Sequence, residues 1–147
     1  MDTSGRAGRG SPGTLTGARR GADIAYGYLS ALFVVGILVQ VYLAGIGVWG
    51  INALKVGDAS SFAAHRSWGF DLEGVAVVLL VLALIARQSV RTMIAALVLA
   101  LLVVIAQSAL ASAGDSNQWI GGLHALDGMF ILLLSVWMAV MAWRRIR

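Results

Sequence analysis

The sequence predicts an all-α integral membrane protein, a four-helix up-down-up-down bundle made of two pseudo-repeated helical hairpins. Three observations predict it: an overwhelmingly apolar composition, four apolar stretches of spanning length, and a pair of short phrases that recurs in the same order in each half. The chain has 147 residues, 59% of them hydrophobic and 12% charged, with a mean hydropathy of +0.85, far from the composition of a soluble domain. Cysteine is absent, which excludes a disulfide framework, a thiolate metal site and a redox-active thiol. Any redox chemistry therefore needs a cofactor.

Residues 1–22 are rich in Gly, Ser, Thr and Arg and lack apolar periodicity, so they are expected to form a disordered cytoplasmic tail. The pair Arg19-Arg20 raises a twin-arginine export signal, but the apolar stretch that follows is too long for a signal segment and stays as an anchor. Four spans are expected at about 24–51, 62–86, 93–113 and 119–143, each near the ~20 residues that cross ~30 Å of hydrocarbon. None contains proline, so no kink is expected.

Orientation follows from the basic residues. Arg6, Arg9, Arg19, Arg20, Arg87, Arg91, Arg144, Arg145 and Arg147 fall on one side of the four-span scheme, and only Lys55 and Arg66 on the other. Both termini are thus expected in the cytoplasm, with the chain in a bacterial cytoplasmic membrane. The net charge of +4 lies at span ends and not along one polar face, so it reads as topology and not as nucleic-acid binding.

The repeat carries the functional information. The first and third spans share Q-x-x-L-A-small, "QVYLAG" at 40–45 and "QSALAS" at 107–112. The second and fourth share H-x-x-x-G, "HRSWG" at 65–69 and "HALDG" at 124–128. Counted from the arginines at the far ends of their spans, His65 and His124 agree in height to within roughly 3 Å at ~1.5 Å per residue. Gln40 and Gln107 fall near the same layer. Ionisable and amide groups in hydrocarbon are costly unless they face a partner or a cavity, so four polar residues on four spans mark a site.

Two histidines at one depth favour a ligand with two axial positions. Zinc would need Asp71, Glu73 or Asp127 to complete a tetrahedron, whereas haem needs two imidazoles. A glycine one turn from each histidine, Gly69 and Gly128, removes a side chain that would meet a macrocycle, although helix packing explains these glycines equally well. Arg66 can pair with a haem propionate, and Gln40 and Gln107 can hydrogen-bond between helices. A cofactor-free alternative stays open: a small transporter or accessory subunit in which His65, His124, Glu73 and Asp127 form a proton relay. No nucleophile motif points to an enzyme.

These phrases resemble one four-helix half of the haem A synthase family, and "QVYLAGIGVWG" with "AHRSWGF" is similar to a family of small bacterial four-span membrane proteins. The resemblance covers about 39–137. It implies His65 and His124 as axial ligands of a haem b, with Gln40, Gln107 and Arg66 around them. One half alone, without large external loops, fits a small b-type cytochrome for electron transfer or haem handling. Its expected surroundings are the lipid bilayer, a redox partner or quinone, and a homodimer or larger membrane complex.

Overall fold

A computed structural model of the chain describes residues 17–53 and 59–147. The elements are α1 (Gly17–Ala53), a 3-10 turn (Ala59–Phe62), α2 (Ala63–Ile85), α3 (Val90–Leu101), a π-helical segment (Leu102–Ala106), α4 (Gln107–Gly114) and α5 (Gln118–Ile146). The segments α3, π and α4 are continuous, so the bundle has four candidate spans: Gly17–Gly50, Ala63–Ile85, Val90–Gly114 and Gln118–Ile146. Among the described residues there is no strand. The protein is an all-α four-helix bundle whose helices have the length and composition to cross a membrane.

Sequential helices pack as neighbours, α1 on α2, α2 on α3, and α4 on α5, and α1 closes the bundle against α5. The core is one seam repeated four times. Tyr26, Ser30, Phe33 and Ile37 line it on α1, and Leu72, Ala76, Leu79 and Ala83 on α2. Thr92, Ala96, Leu99 and Val103 line it on the third span, and Ile131, Ser135, Met138 and Ala142 on α5. Every set alternates steps of four and three residues, the heptad spacing of left-handed helix packing. Large side chains (Tyr26, Phe33, Leu79, Leu99, Met138) face small ones, which lets the backbones approach where lipid supplies no hydrophobic drive. The buried hydroxyls are satisfied locally: Ser30 donates to Tyr26 O at 2.7 Å and Ser135 to Ile131 O at 2.6 Å.

Outside the seam the surface is apolar, with Leu32, Leu133 and Phe70 each about two-thirds exposed. Trp49 and Trp119 are exposed near one end of the bundle and Tyr28 near the other, as expected of interfacial aromatic belts.

The arginine-rich end is tied by a cluster that the sequence reading did not single out. Asp23 is buried at 7% exposure. It accepts a hydrogen bond from the Gln88 side chain at Oδ1 and one from Arg145 Nε at Oδ2, 3.1 Å away. This joins α1, the α2–α3 turn and the end of α5. It also accounts for a correction: α1 begins at Gly17, inside the stretch 1–22 expected to be disordered, because Ala22 and Asp23 are held in the packed end. The rest of that tail, residues 1–16, and the connection at 54–58 lie outside the described residues.

The α2–α3 turn closes through Arg87 N to Leu84 O at 3.0 Å and Gln88 N to Ala83 O at 2.9 Å, a Schellman arrangement. It sets Arg87 at φ 49°, and Ser89 then caps α3 by accepting from Thr92 N at 3.2 Å.

The π segment is a feature that the absence of proline does not address. Past Val103 the alternation would bring Ala106 onto the seam. The extra residue of the π turn brings Gln107 there instead, which restores the correspondence with Gln40, three residues after Ile37. π-bulges tend to sit at functional sites, and this one positions Gln107, a candidate site residue.

Candidate functional site

The predicted site residues are the continuation of the same seam. Beyond Leu72 and Ile131 the next seam positions on α2 and α5 are Gly69 and Gly128, then His65 and His124. On α1 and the third span they are Gln40 and Gln107. The apolar core therefore passes into one layer of two glutamines and two glycines, and then a layer with the two histidines.

Packing changes at that boundary. Among the described residues on the histidine side of Ile37, Leu72, Val103 and Ile131, only Gly47 is buried, and Gln40, Gln107, His65 and His124 are all intermediate. Buried side chains fill the seam elsewhere; here it is polar and only half-buried.

Each histidine is anchored to the glutamine of its own hairpin. His65 Nδ1 donates to the backbone carbonyl of Gln40 at 3.1 Å, and His124 Nδ1 to the backbone carbonyl of Gln107 at 3.1 Å. A carbonyl only accepts, so both rings carry their proton on Nδ1, and Nε2 is the nitrogen able to bind a partner. His65 Nε2 has a long 3.4 Å approach from Gln40 Nε2. No described residue hydrogen-bonds His124 Nε2. Across the bundle, from helices whose backbones do not touch, the two rings approach edge-on with centroids 6.2 Å apart and planes at 74°. The Phe62 ring stands 6.2 Å from His65 and packs over Gly47, where a Cβ would fall within 2.5 Å of it.

The glutamine layer is asymmetric. Gln107 Nε2 donates to His124 O at 3.1 Å and to Asp127 Oδ2 at 2.9 Å. Gln40 has only the long contact to His65, and its buried Oε1 has no hydrogen-bond partner among the described residues. An orphaned acceptor of this kind costs about 1–3 kcal/mol. The glycines make room for these amides: a Cβ on Gly69 would stand 3.1 Å from Gln40 Nε2, and one on Gly128 3.7 Å from Gln107 Nε2.

The remaining predicted residues lie around this ring. Arg66 follows His65 and is exposed. Asp71 is exposed and borders a groove between α1 and α2. Glu73 points to the third span, where Ser108 Oγ donates to its Oε1 at 2.8 Å. Neither histidine ring hydrogen-bonds a carboxylate among the described residues, and these residues contain no group of three or more His, Cys, Asp or Glu placed to hold a metal ion. A zinc tetrahedron is thus not assembled. Trp68, which the sequence reading passed over, donates from Nε1 to Gly36 O at 2.9 Å and pins α2 to α1 beside the site.

Comparison with models of protein families, with curated proteins and with solved structures gave no match. The resemblance to one half of the haem A synthases therefore rests on the quoted residues, and the functional reading rests on the site.

Proposed function

We propose that this chain is a small b-type haem protein of the membrane, with His65 and His124 as the two axial ligands, serving electron transfer or haem handling. The observation that carries the reading is the facing pair of imidazoles with their Nδ1 protons held by backbone carbonyls. Metal-bound histidines characteristically donate their other ring N–H to such an acceptor, which fixes tautomer and orientation. Haem iron would be held by Nε2 of His65 and of His124, the ring nitrogens not engaged by the carbonyls. The 6.2 Å between the ring centroids brings both imidazoles within reach of one such group.

The surrounding residues fit the group with one adjustment. The side-chain amides of Gln40 and Gln107 occupy the space beside Gly69 and Gly128, so a macrocycle requires them to turn aside. Gln40, with an unpartnered Oε1, has the least to lose by doing so. Haem held by these two residues would supply one-electron chemistry. The protein's own part is to orient two ring nitrogens, to exclude water with Phe62, and to set Arg66, next to His65 on α2, at the membrane face. The arginine distribution favours cytoplasmic termini, with the site toward the opposite face.

Histidine substitution tests the reading. Protein produced with ample haem should absorb as a low-spin haem with two nitrogen ligands. His65→Ala and His124→Ala should each abolish or convert that spectrum, while both variants still insert and purify as discrete particles. Unchanged absorption in either well-folded variant refutes the assignment of that residue.

A further inference from the structure

The bundle carries two grooves that open to the lipid, and the repeat relates them. One, of about 530 Å³, lies between the third span and α5 and is lined by Val98, Leu102, Asp127, Phe130, Leu133 and Leu134. The other, of about 330 Å³, lies between α1 and α2 and includes Leu32, Trp68, Asp71 and Val75. Matching His124 with His65 aligns Asp127 with Trp68, Phe130 with Asp71, and Leu134 with Val75. Matching Gln107 with Gln40 across the π turn aligns Val98 with Leu32. At these two aligned positions each groove holds a carboxylate and an aromatic ring, with the two exchanged; the smaller groove is also lined by Phe33.

The grooves differ in how the aligned aromatic ring is held. Trp68 in the smaller one is held by Gly36 O. In the larger one Phe130 is 59% and Leu133 64% exposed, and both face lipid. Asp127 is the one polar side chain in its lining. Its Oδ2 is engaged by Gln107 Nε2 at 2.9 Å, and no described residue bonds to Oδ1. A carboxylate oxygen at membrane depth is costly without a donor, and a lipid-soluble molecule lying in this groove can supply one. The ring of Phe130, three residues along α5, offers an aromatic face beside the acceptor.

We propose that this groove binds the ring of a lipid-soluble quinol, with a quinol hydroxyl donating to Asp127, the ring against Phe130, and the tail in the bilayer. The volume lies in the range of ligand pockets. Asp127 stands three residues from His124, one helical turn away on the same side, so the bound ring would lie next to the histidine layer. The inference rests on the groove and its carboxylate, and it holds or fails whether or not haem is bound.

The test uses the full chain in nanodiscs and a short-chain ubiquinol as probe, with binding read by equilibrium dialysis. Wild-type protein should bind the quinol at least tenfold more tightly than its dimethyl ether, which has the same ring and no donors. Asp127→Asn exchanges a carboxylate oxygen for an amide donor and should erase that preference. Leu133→Trp, at a lipid-facing position that folding tolerates, should block the groove and abolish binding, whereas Asp71→Asn in the smaller groove should leave it unchanged. Equal binding of quinol and dimethyl ether by the wild type, or binding undisturbed by both Asp127→Asn and Leu133→Trp, overturns the proposal and leaves the groove to lipid acyl chains.

Discussion

Asp23→Ala is predicted to be the most damaging single change at the arginine-rich end. The Asp23 carboxylate accepts from the buried Gln88 amide at one oxygen and from Arg145 at the other. Removing it strands Gln88, which is 6% exposed, at a cost of about 1–3 kcal/mol for a buried unsatisfied amide. The ion pair adds less, because the Arg145 side chain is 35% exposed and pairs open to solvent contribute at most about 1 kcal/mol. The expected loss is about 2–3 kcal/mol. Asp23→Asn keeps an acceptor for Gln88 and should lose about half as much. The double change Asp23→Leu with Gln88→Leu removes both buried polar groups and should recover much of the loss, since replacing both partners is far cheaper than stranding one. Reversible unfolding in mixed micelles, followed by far-ultraviolet circular dichroism, gives these differences directly. An Asp23→Ala variant within about 0.5 kcal/mol of wild type, below the cost of one stranded group, would refute the view that this cluster locks the helix ends.

Other expectations can be checked with the same preparation. At Gly36 a Cβ would come within 2.7 Å of Leu72 Cδ2, whereas at Gly128 it would rest 3.7 Å from Gln107 Nε2. Gly36→Ala should therefore cost about 1–3 kcal/mol by overpacking, and Gly128→Ala should be neutral or gain up to about 1 kcal/mol from helix propensity; the reverse order in melting would contradict the packing described. Gly128→Leu, in contrast, should lower haem loading without preventing insertion, and normal loading would make that glycine a packing residue only. Arg87→Gly should stabilise by about 1 kcal/mol by relieving a left-handed conformation, and no gain in unfolding midpoint would argue against that turn. A reporter after Arg147 should read as cytoplasmic and one inserted near residue 57 as external; opposite results would overturn the arginine count.

The fold was legible because membrane helices announce themselves by length and hydropathy, and the expected spans lie within the observed helices to a residue or so. The site was legible through the repeat, since Gln40, Gln107, His65, His124 and the two glycines are joined as adjacent layers. Less was legible in the seam itself. Its small residues, Ser30, Ala76, Ala96, Ser135 and Ala142, stand among Leu and Val that face lipid, and hydropathy does not distinguish the two sets. A search for small residues in alternating steps of four and three would have found the seam and shown that His65 and His124 continue it. The π turn left no proline or glycine to mark it; the mismatch between Gln40 after Ile37 and Gln107 after Val103 was its only trace. Asp23 and Gln88 sit at span ends, where single polar residues are common, and only the fold reveals that they meet.

The central claim, that the facing histidines hold a haem, is tested most directly by the pigment of the purified wild-type chain. Protein from haem-replete cells, with insertion verified, should be red and should give about one haem b per chain by the pyridine haemochrome assay, with a low-spin spectrum of two-imidazole ligation. A colourless protein under those conditions, still colourless after titration with hemin in micelles, would contradict the account.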